Sequence, residues 1–410
     1  MFKTNTKCRI CKSDRLSLFF DLGETALANS FLKEEDLDKP EPKYPLRVFF
    51  CENCGLSQLI DVVSPEVMFK DYVYFSSGMP ALSEHFKKYA EEIIGDFTAS
   101  KDDLIVEIGS NDGILLGAIK IMGRRVLGVD PAVNIVKVAN ERGVETMAEF
   151  FSEKLAGEIV AKYGHAKVMI GNNVVAHIND HHDLVKGAKA LLADDGVFVF
   201  EAPHLVDMFE NYTFDTIYHE HLSYLSVRPL VKLFDQFGME IFDVKTHPVQ
   251  GNSLRVYAGK IGKHAVTGRV AEFSQKEQEL GLDNLSAYLK LANDIDQMKK
   301  TLLKLLGDLK NQGKRIAAYG APAKGNTLLS YFGIGPEVID YATEALPSKI
   351  GLYTPGTHIP VIDIEQARKN PPDYYLLLAW NYKDIVLKKE ESFRNNGGKF
   401  IMPVGKIEVL

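Results

Sequence analysis

The chain has 410 residues, of which 46% are hydrophobic and 25% are charged, and its formal net charge is −7. At roughly 150 residues per domain, this length predicts two or three domains with extensive cores. No apolar run approaches the roughly 20 residues that cross a bilayer, and no long basic run offers a surface for nucleic acid. Membrane-spanning and nucleic-acid-binding classes are therefore excluded, and a small molecule is the expected partner of a chain that we expect to be monomeric.

Two CxxC pairs use all four cysteines of the chain: Cys8 with Cys11, and Cys51 with Cys54. The N-terminus lacks the apolar core of a secretory signal, which favours a cytoplasmic protein in which disulfides are rare. Four thiolates are the ligand set of tetrahedral zinc, and they leave no coordination position open, so the predicted zinc is structural. Free thiols or a redox CxxC are the alternative. We expect a zinc-binding module at residues 1–66.

A central domain is expected at residues 67–298, where strands and helices alternate after a helical lead-in. Its first helix covers SEHFKKYAEEIIGDF, with Ser83 as the expected N-cap. The strands LIVEIG, RVLGVD, KVMIGNNV and GVFVFEAP are separated by helical stretches, which predicts a parallel α/β sheet. MEIFDVKTH and SLRVYAG predict an antiparallel pair at the edge of that sheet.

A second, smaller α/β domain is predicted at residues 299–410. The segment KRIAAYGAPAKGNTLLSYF indicates a strand, a glycine turn and a helix, and YYLLLAW and KFIMPV are further strands.

The turn after the first central strand, VEIGSNDG, is the predicted cofactor site. A loose glycine turn fits a nicotinamide cofactor, a methyl donor or a purely structural turn. Asp130 ends the next strand, where a carboxylate can accept both ribose hydroxyls of an adenosine. A diphosphate at this turn would face Asp112, which favours S-adenosylmethionine, because its sulfonium and amino group tolerate acidic surroundings.

Adenine is expected beside the third strand, where Phe150 could stack on the ring and Glu149 accept from its amine. A packed Phe150 without ligand contact is the alternative. The predicted donor-binding residues are Glu107, Gly109, Asn111, Asp112, Asp130, Glu149, Phe150 and Asn172.

Two polar loops, NNVVAHINDHHDL and FDTIYHEHLSYLS, follow predicted strands at the edge where open α/β sheets build their sites. Tyr218, Glu220 and His221 are side chains suited to acid–base chemistry. In an extended segment Tyr218 and Glu220 would share one face and His221 would lie on the other. The three come together only if the loop turns, and a polar loop with a structural histidine is the alternative.

These motifs, in this order, resemble the sugar 3-C-methyltransferases of deoxysugar biosynthesis. The resemblance runs from end to end, through CRICKS, DLGETALANSFL, FCENCGLSQL, YVYFSSG, VEIGSNDG, NNVVAH, IYHEHLSYLS, GNSLRVY, YGAPAKGNTLL, YTPGTHIPV and LLLAWNYKDI. It implies an α/β class I methyltransferase domain with a Rossmann-like fold, flanked by an N-terminal four-cysteine zinc module and a C-terminal Rossmann-like domain. The implied reaction moves a methyl group from S-adenosylmethionine to C3 of a nucleotide-linked 4-keto-deoxysugar through an enolate.

Carried over onto this sequence, the resemblance implies His221 as the general base, with Tyr218 and Glu220 stabilising or protonating the enolate. Tyr72 and His177 match further active-site positions. The residues expected to contact substrate are Asn29, Tyr74, Arg255, Lys324 and Asn326, with Lys324 at the diphosphate. One departure is Asn252, which replaces a glycine of the family at the GNSLRVY turn. Two other readings stay open, a sugar O-methyltransferase and a nucleotide-sugar-binding protein without turnover.

Overall fold

The structure, a computed structural model, describes residues 2–69, 80–247 and 253–410. The predicted site residues Tyr72 and Tyr74, and the departure at Asn252, lie outside the described residues. The described residues form four sheets, which belong to three modules. Among the helices in these ranges, none combines the length and the apolar character that crossing a bilayer requires.

The first module is a small antiparallel sheet beside a two-stranded one. Alternate residues of its third strand, Leu46, Val48 and Phe50, are buried, as the period of two along a strand requires. Strand β2 pairs with β3, β3 with β4, and β1 with β5. The elements are β1 (Phe2–Thr4), β2 (Leu16–Thr25), β3 (Tyr44–Cys51), β4 (Ser57–Leu59), β5 (Asp61–Val63) and the short helix α1 (Pro65–Phe69).

The central domain has a seven-stranded sheet with the order β12-β13-β10-β9-β6-β7-β8. Strands β10, β9, β6, β7 and β8 are parallel, whereas β13 runs antiparallel to both β10 and β12. The predicted antiparallel edge pair is confirmed, and the reversed strand is the one expected of a class I methyltransferase sheet. The strands are β6 (Leu104–Ile108), β7 (Arg125–Val129), β8 (Thr146–Met147), β9 (Ala166–Asn172), β10 (Leu192–Pro203), β11 (Ser223–Tyr224), β12 (Met239–His247) and β13 (Ser253–Lys260).

Helices cover both faces of this sheet. The first begins at Pro80, so the predicted N-cap at Ser83 is wrong, because proline is well suited to the first turn of a helix. The helices are α2 (Pro80–Phe97), α3 (Ile114–Ile121), α4 (Val133–Glu141), α5 (Glu153–Tyr163), α6 (His181–Leu191), α7 (Leu205–Asn211), α8 (Val227–Asp235) and α9 (Gly268–Glu279).

Strand β11 joins the first two modules. It belongs to the central domain by sequence, but it pairs antiparallel with β4 and makes the order β11-β4-β3-β2. Ser223 lies opposite Gln58, and the backbone N–H of Leu59 donates to the carbonyl of Leu222 at 3.0 Å. The two modules therefore share one sheet.

A 27-residue helix, α10 (Leu285–Asn311), leads into the third module. The expected boundary between residues 298 and 299 falls inside it. Its buried residues recur at helical spacing, and its Tyr288 ring lies 4.8 Å from the ring of Phe19 and 4.7 Å from that of Phe50. One apolar core thus includes the first module, α10 and the C-terminal sheet.

The C-terminal sheet has six strands with the order β16-β15-β14-β17-β18-β19, all parallel except β19. The first glycine turn predicted here follows β14 and leads into a ten-residue helix, α11. The elements are β14 (Ile316–Tyr319), α11 (Ala323–Phe332), β15 (Ala342–Glu344), β16 (Val361–Asp363), α12 (Ile364–Lys369), β17 (Tyr374–Leu377), α13 (Lys383–Lys389), α14 (Glu391–Asn395), β18 (Lys399–Met402) and β19 (Glu408–Val409).

Candidate active site

The two CxxC pairs form matching turns. Lys12 N–H donates to the carbonyl of the first cysteine and Gly55 N–H to that of the third, and both residues have positive φ, 59° and 81°. Two pairs of sulfurs are 3.5 Å apart, and all four lie within 4.8 Å of one another. A tetrahedral zinc with Zn–S bonds of about 2.3 Å requires sulfurs about 3.8 Å apart, which this arrangement fits. The four ligands are Cys8, Cys11, Cys51 and Cys54.

The turn after β6 is shaped for a close ligand. Gly109 has φ +60°, and a Cβ there would lie 2.9 Å from a methyl of Val174, so only glycine fits without strain. The Asp130 carboxylate closes the turn, because it accepts from the backbone N–H of Asn111 and of Ala132, each at 2.9 Å. The structure therefore brings the predicted glycine turn after β6 together with Asp130, which follows β7.

Unpartnered acceptors lie at the same edge of the sheet. Glu107 is buried, and its Oε1 accepts from Asn172 Nδ2 at 3.4 Å. Glu107 Oε2 and Asn172 Oδ1 are buried without a hydrogen-bond partner in the described residues. Burial raises the pKa of Glu107 well above its usual value. Such groups cost about 1 to 3 kcal/mol each, which a ligand carrying N–H and O–H donors would recover. The site thus fits an amino-acid and adenosine ligand.

We expected Asp112 to face a ligand at the turn, but its side chain is not open there. It is fully buried, and Arg142 Nη1 lies 2.8 Å from its Oδ2. The repulsion expected from Asp112 is offset by this ion pair, and the other carboxyl groups at the turn are those of Glu107 and Asp130, whose pKa values are both raised by burial. Phe150, beside the third strand, is 48% exposed and is not packed into the core. Glu149 is also exposed. Donor contacts by these residues stay predictions.

The loop that carries the predicted base does turn. The backbone N–H of His221 donates to the carbonyl of Tyr218 at 2.9 Å, and this turn places the Tyr218 hydroxyl 2.9 Å from His221 Nε2. His221 Nδ1 lies 2.8 Å from the carbonyl oxygen of Thr216. A carbonyl can only accept, so Nδ1 carries the proton and Nε2 accepts from the tyrosine hydroxyl. The strict alternation of an extended segment is thereby broken.

His221 is held in its neutral form. Burial lowers its pKa to about 4, the hydrogen bond to Thr216 opposes that shift, and the charge of Lys324 adds to it. The ring of His177 lies edge-on to that of His221, with centroids 4.8 Å apart, and burial also lowers the pKa of His177 well below its usual value. Both imidazoles are neutral at pH 7, the state that a general base requires.

A side chain of the first module holds this loop, and a side chain of the C-terminal domain holds the segment of the first module next to it. Asn29 Nδ2 donates to Glu220 Oε1 at 2.7 Å, so a side chain of the first module holds the Glu220 carboxylate. Asn326 Nδ2 donates to the carbonyl of Ala28 at 2.8 Å. Of the expected substrate contacts, Asn29 and Asn326 are therefore brought to the same junction of the modules.

Lys349 is a residue that the sequence analysis missed. Its Nζ donates to the carbonyl of Ala321 at 2.9 Å and lies 4.9 Å from the ring centroid of Phe31. Burial lowers its pKa, while Glu344 and Glu220 raise it. No local pattern marks this lysine, because its position depends on contacts with residues far away in the sequence.

Lys324 follows β14, which pairs with β17 at the point where the strand order reverses, and open α/β sheets bind ligands at such a switch point. Its Nζ is 4.4 Å from the ring centroid of Trp380, whose Nε1 donates to Asp215 Oδ2 at 2.6 Å. Asp215 is fully buried, and burial raises its pKa to about 6. Sequence reasoning missed Asp215 and Trp380, although Trp380 is the one tryptophan in the chain.

Arg255 has a different environment from the one expected of a substrate ligand. It is 1% exposed, and its guanidinium lies 2.6 Å from Glu201 and 2.5 Å from Glu92. It also lies 3.7 Å above the ring of Tyr89. These contacts connect α2 to β10 and β13, and a substrate contact by Arg255 stays a prediction.

The sheet order, the glycine turn with its acidic acceptors and the four-sulfur cluster define an S-adenosylmethionine-dependent methyltransferase with a zinc-binding module. Family models agree: a zinc binding domain matches residues 8–69, a methyltransferase domain matches 83–244, and a C-methyltransferase C-terminal domain matches 248–405. C-methyltransferase NovU of Streptomyces niveus is 38% identical over 405 residues, which cover 98% of this chain and 96% of NovU. The chain belongs to the family of S-adenosylmethionine-dependent sugar C-methyltransferases, as its motifs suggested.

Two solved methyltransferase structures illustrate a partial overlap with the chain. Magnesium protoporphyrin IX methyltransferase from Synechocystis, with bound SAM, covers 44% of this chain and 79% of its own length, with 12% identity and a TM-score of 0.34. An S-adenosylmethionine-dependent methyltransferase from Clostridium acetobutylicum covers 44% and 92%, with 12% identity and a TM-score of 0.36. Similarities of this size are too small to support an argument about substrate or mechanism.

Proposed function

We propose that this enzyme methylates C3 of a nucleotide-linked 4-keto-deoxysugar, with His221 as the general base. The observation that carries the proposal is the neutral imidazole whose Nε2 faces the hydroxyl of Tyr218 at 2.9 Å. A hydrogen on the carbon beside a ketone is weakly acidic, so its removal needs a base together with a donor for the developing oxyanion. His221 supplies the base, and the Tyr218 hydroxyl supplies the donor.

In the proposed reaction His221 Nε2 takes the proton from C3, and the electron pair of that bond forms the enolate. The Tyr218 hydroxyl, released from Nε2 as that nitrogen becomes protonated, donates to the enolate oxygen, and His177 and Glu220 line the same region. S-adenosylmethionine supplies the methyl group to C3. A positioned base contributes on the order of 10² to 10⁴ in rate, and one oxyanion donor about 2.7 to 4 kcal/mol. Alignment of the two reactants can supply roughly 7 to 11 kcal/mol more.

The donor site on the central sheet supports the proposed position of the cofactor. The Gly109 turn admits backbone close to the ligand, and Asp130 is suited to the ribose hydroxyls. Glu107 and Asn172 offer unpartnered acceptors for the amino group. Asn111 and Asp112 shape the turn, and Glu149 and Phe150 remain open to adenine on the exposed side.

A nucleotide-linked substrate is supported by the C-terminal sheet. Lys324 lies in the first turn of α11, whose free N–H groups favour an anion, and Lys349, whose side chain is 12% exposed, is hydrogen-bonded to the loop before that helix. Trp380 offers an aromatic ring beside Lys324. These groups suit a diphosphate and a base, and Asn29 and Asn326 are further candidates for substrate contact: Asn29 is bonded to Glu220 in the loop of His221, and Asn326 to the carbonyl of Ala28.

The test is mass spectrometry after incubation with S-adenosylmethionine and a panel of nucleotide 4-keto-6-deoxysugars in deuterated water. We expect a product with one added methyl group on carbon, lost in His221→Asn. The matched control is His219→Asn, because His219 is in the same loop but donates to the carbonyl of Tyr44 at 3.2 Å. A methyl group on oxygen without exchange of a carbon-bound hydrogen would indicate an O-methyltransferase. Tight binding of nucleotide sugar without transfer would indicate a binding protein.

A further inference from the structure

A buried arginine lies between the two cysteines of the first CxxC pair. Arg9 is 2% exposed, and its backbone N–H and its Nη1 both donate to Gln58 Oε1, at 3.1 and 3.2 Å. Nη1 also donates to the carbonyl of Leu59. Gln58 and Leu59 are in β4, the strand that pairs with β11. One side of the guanidinium therefore fixes β4 to the cysteine cluster.

This contact extends to the segment that carries the catalytic histidine. The same Leu59 whose carbonyl accepts from Arg9 donates its N–H to the carbonyl of Leu222, the residue directly after His221. Leu222 N–H in turn donates to the carbonyl of Ala176 at 2.8 Å, the residue directly before His177. The backbone on one side of each histidine is thus tied to β4.

A second side of the guanidinium reaches the other catalytic loop directly. Arg9 Nε donates to Asn179 Oδ1 at 3.2 Å, and Asn5 Nδ2 donates to the same oxygen at 2.9 Å. Asn179 lies two residues after His177 and just before the N-terminus of α6. Arg9 Nη1 is therefore bonded to the strand that holds the His221 segment, and Arg9 Nε is bonded to the loop that carries His177.

Packing around zinc alone does not require this side chain. A buried guanidinium carries a desolvation penalty that an apolar residue of similar volume avoids, so such contacts are weak evidence for stability. Arg9 Nη2 is buried without a hydrogen-bond partner in the described residues, which adds to that cost. Stability alone does not favour a buried arginine here, whereas a role in holding the His177 and His221 loops in position accounts for it.

We infer that Arg9 is a positioning residue that links the cysteine cluster to the two loops carrying His177 and His221. The inference rests on the proposed function in taking His221 as the base. Arg9 touches neither reactant and acts through Leu59 and Asn179. Loss of its contacts should loosen both loops while leaving the cysteine cluster and the donor site intact.

The first measurement is hydrogen–deuterium exchange of Arg9→Gln without any ligand, which does not depend on the reaction. We expect the peptides covering residues 176–181 and 219–225 to exchange at least tenfold faster, while those covering β6 and β7 keep their wild-type rates. The matched control is Arg15→Gln, an arginine of the same module that is 62% exposed and paired with Glu52 on the surface. Unchanged exchange in the two loops would overturn the inference.

The second measurement is turnover divided by the number of S-adenosylmethionine sites found by calorimetry, which removes any contribution from unfolded molecules. We expect Arg9→Gln to lose about tenfold or more per site with an unchanged KM for S-adenosylmethionine and a full zinc content. Wild-type turnover per site would contradict the positioning role. If Arg9→Gln fails to fold, both measurements are made on Asn179→Ala instead. Asn179 is exposed, and this variant removes the hydrogen bond between Arg9 Nε and the loop that carries His177. Absence of transfer by the wild type would count against the proposed function, whereas the exchange result decides on Arg9 alone.

Discussion

At the scale of single residues, the site depends on which nitrogen of His221 carries its proton. The carbonyl of Thr216 fixes that proton on Nδ1, and the Tyr218 hydroxyl then identifies Nε2 as the basic nitrogen. Thr216 belongs to a short helical turn, Phe214–Thr216, whose Asp215 is bonded to Trp380 in the C-terminal domain. The protonation state of the base is therefore supported from a second module.

Changing Lys324 should move the pH dependence of the reaction. A base with a pKa of about 4 stays deprotonated above that pH, so kcat/KM of the wild type should fall on the acid side only as the pH approaches 4. The charge of Lys324 contributes to the low pKa, so Lys324→Met should raise the pKa of His221 and move the acid limb to higher pH. Lys304→Met, on an 81% exposed side chain, is the control. Coincident profiles for the wild type and Lys324→Met would refute this coupling.

Arg255 should affect stability more than substrate affinity. Arg255→Met removes the guanidinium from the buried Glu201 carboxylate, which keeps its contact with His85 Nε2 at 3.2 Å, and breaking a buried pair costs about 3 to 5 kcal/mol. Urea unfolding should show this loss, whereas Arg15→Met, at an exposed pair, should cost less than about 1 kcal/mol. Unchanged stability together with a raised KM for the sugar would instead identify Arg255 as a substrate ligand.

At the scale of secondary structure, local pattern predicted the central elements well. Strand and helix alternation between LIVEIG and GVFVFEAP predicted the parallel sheet, and the helical stretches expected between those strands include α4, Val133–Glu141. The turn at 218–221 could not be predicted, because it depends on a hydrogen bond to Thr216 and on the pairing of β11 with a distant strand. Two-residue strands such as β11 have no periodicity to detect.

The glycine turn after β6 offers a test at this scale. Gly109→Ala puts a Cβ on a residue at φ +60° and 2.9 Å from Val174, and the left-handed conformation alone costs about 1 to 2 kcal/mol. We expect S-adenosylmethionine to bind roughly 5- to 30-fold more weakly, measured by calorimetry. Gly157→Ala, in an exposed part of α5 with open space around it, should leave affinity unchanged. Wild-type affinity in Gly109→Ala would argue against a close approach of the ligand.

At the scale of the molecule, the three modules are joined by shared elements rather than by linkers. The sheet that contains β11 unites the first two modules, and the core around α10 unites the first and third. Composition and motif spacing indicated three modules, but not that a helix would cross the expected boundary or that β11 would complete the sheet of the first module. Such contacts depend on long-range packing, which a single sequence does not encode as a local signal.

Removal of the metal should stop transfer without stopping donor binding. Structural zinc contributes on the order of 10 kcal/mol to the folding of small modules, so a chelator should unfold the first module and withdraw the partner of β11. The His221 loop would lose its support, while the Gly109 turn lies on a separate sheet. We expect transfer to fall at least a hundredfold with S-adenosylmethionine affinity retained, and added zinc to restore it. Full transfer by the metal-free protein would contradict this arrangement.

The pairing of β11 with β4 also sets an order of events for the chain as it leaves the ribosome. Strand β4 is synthesised early, and until residues 223 and 224 emerge, its outer edge is an open template for other chains. The zinc module of the nascent chain therefore keeps one unpaired strand edge until most of the central domain has been synthesised. The same step that covers this edge brings His221 into position, so protection from misassembly and the arrival of a competent active site occur together.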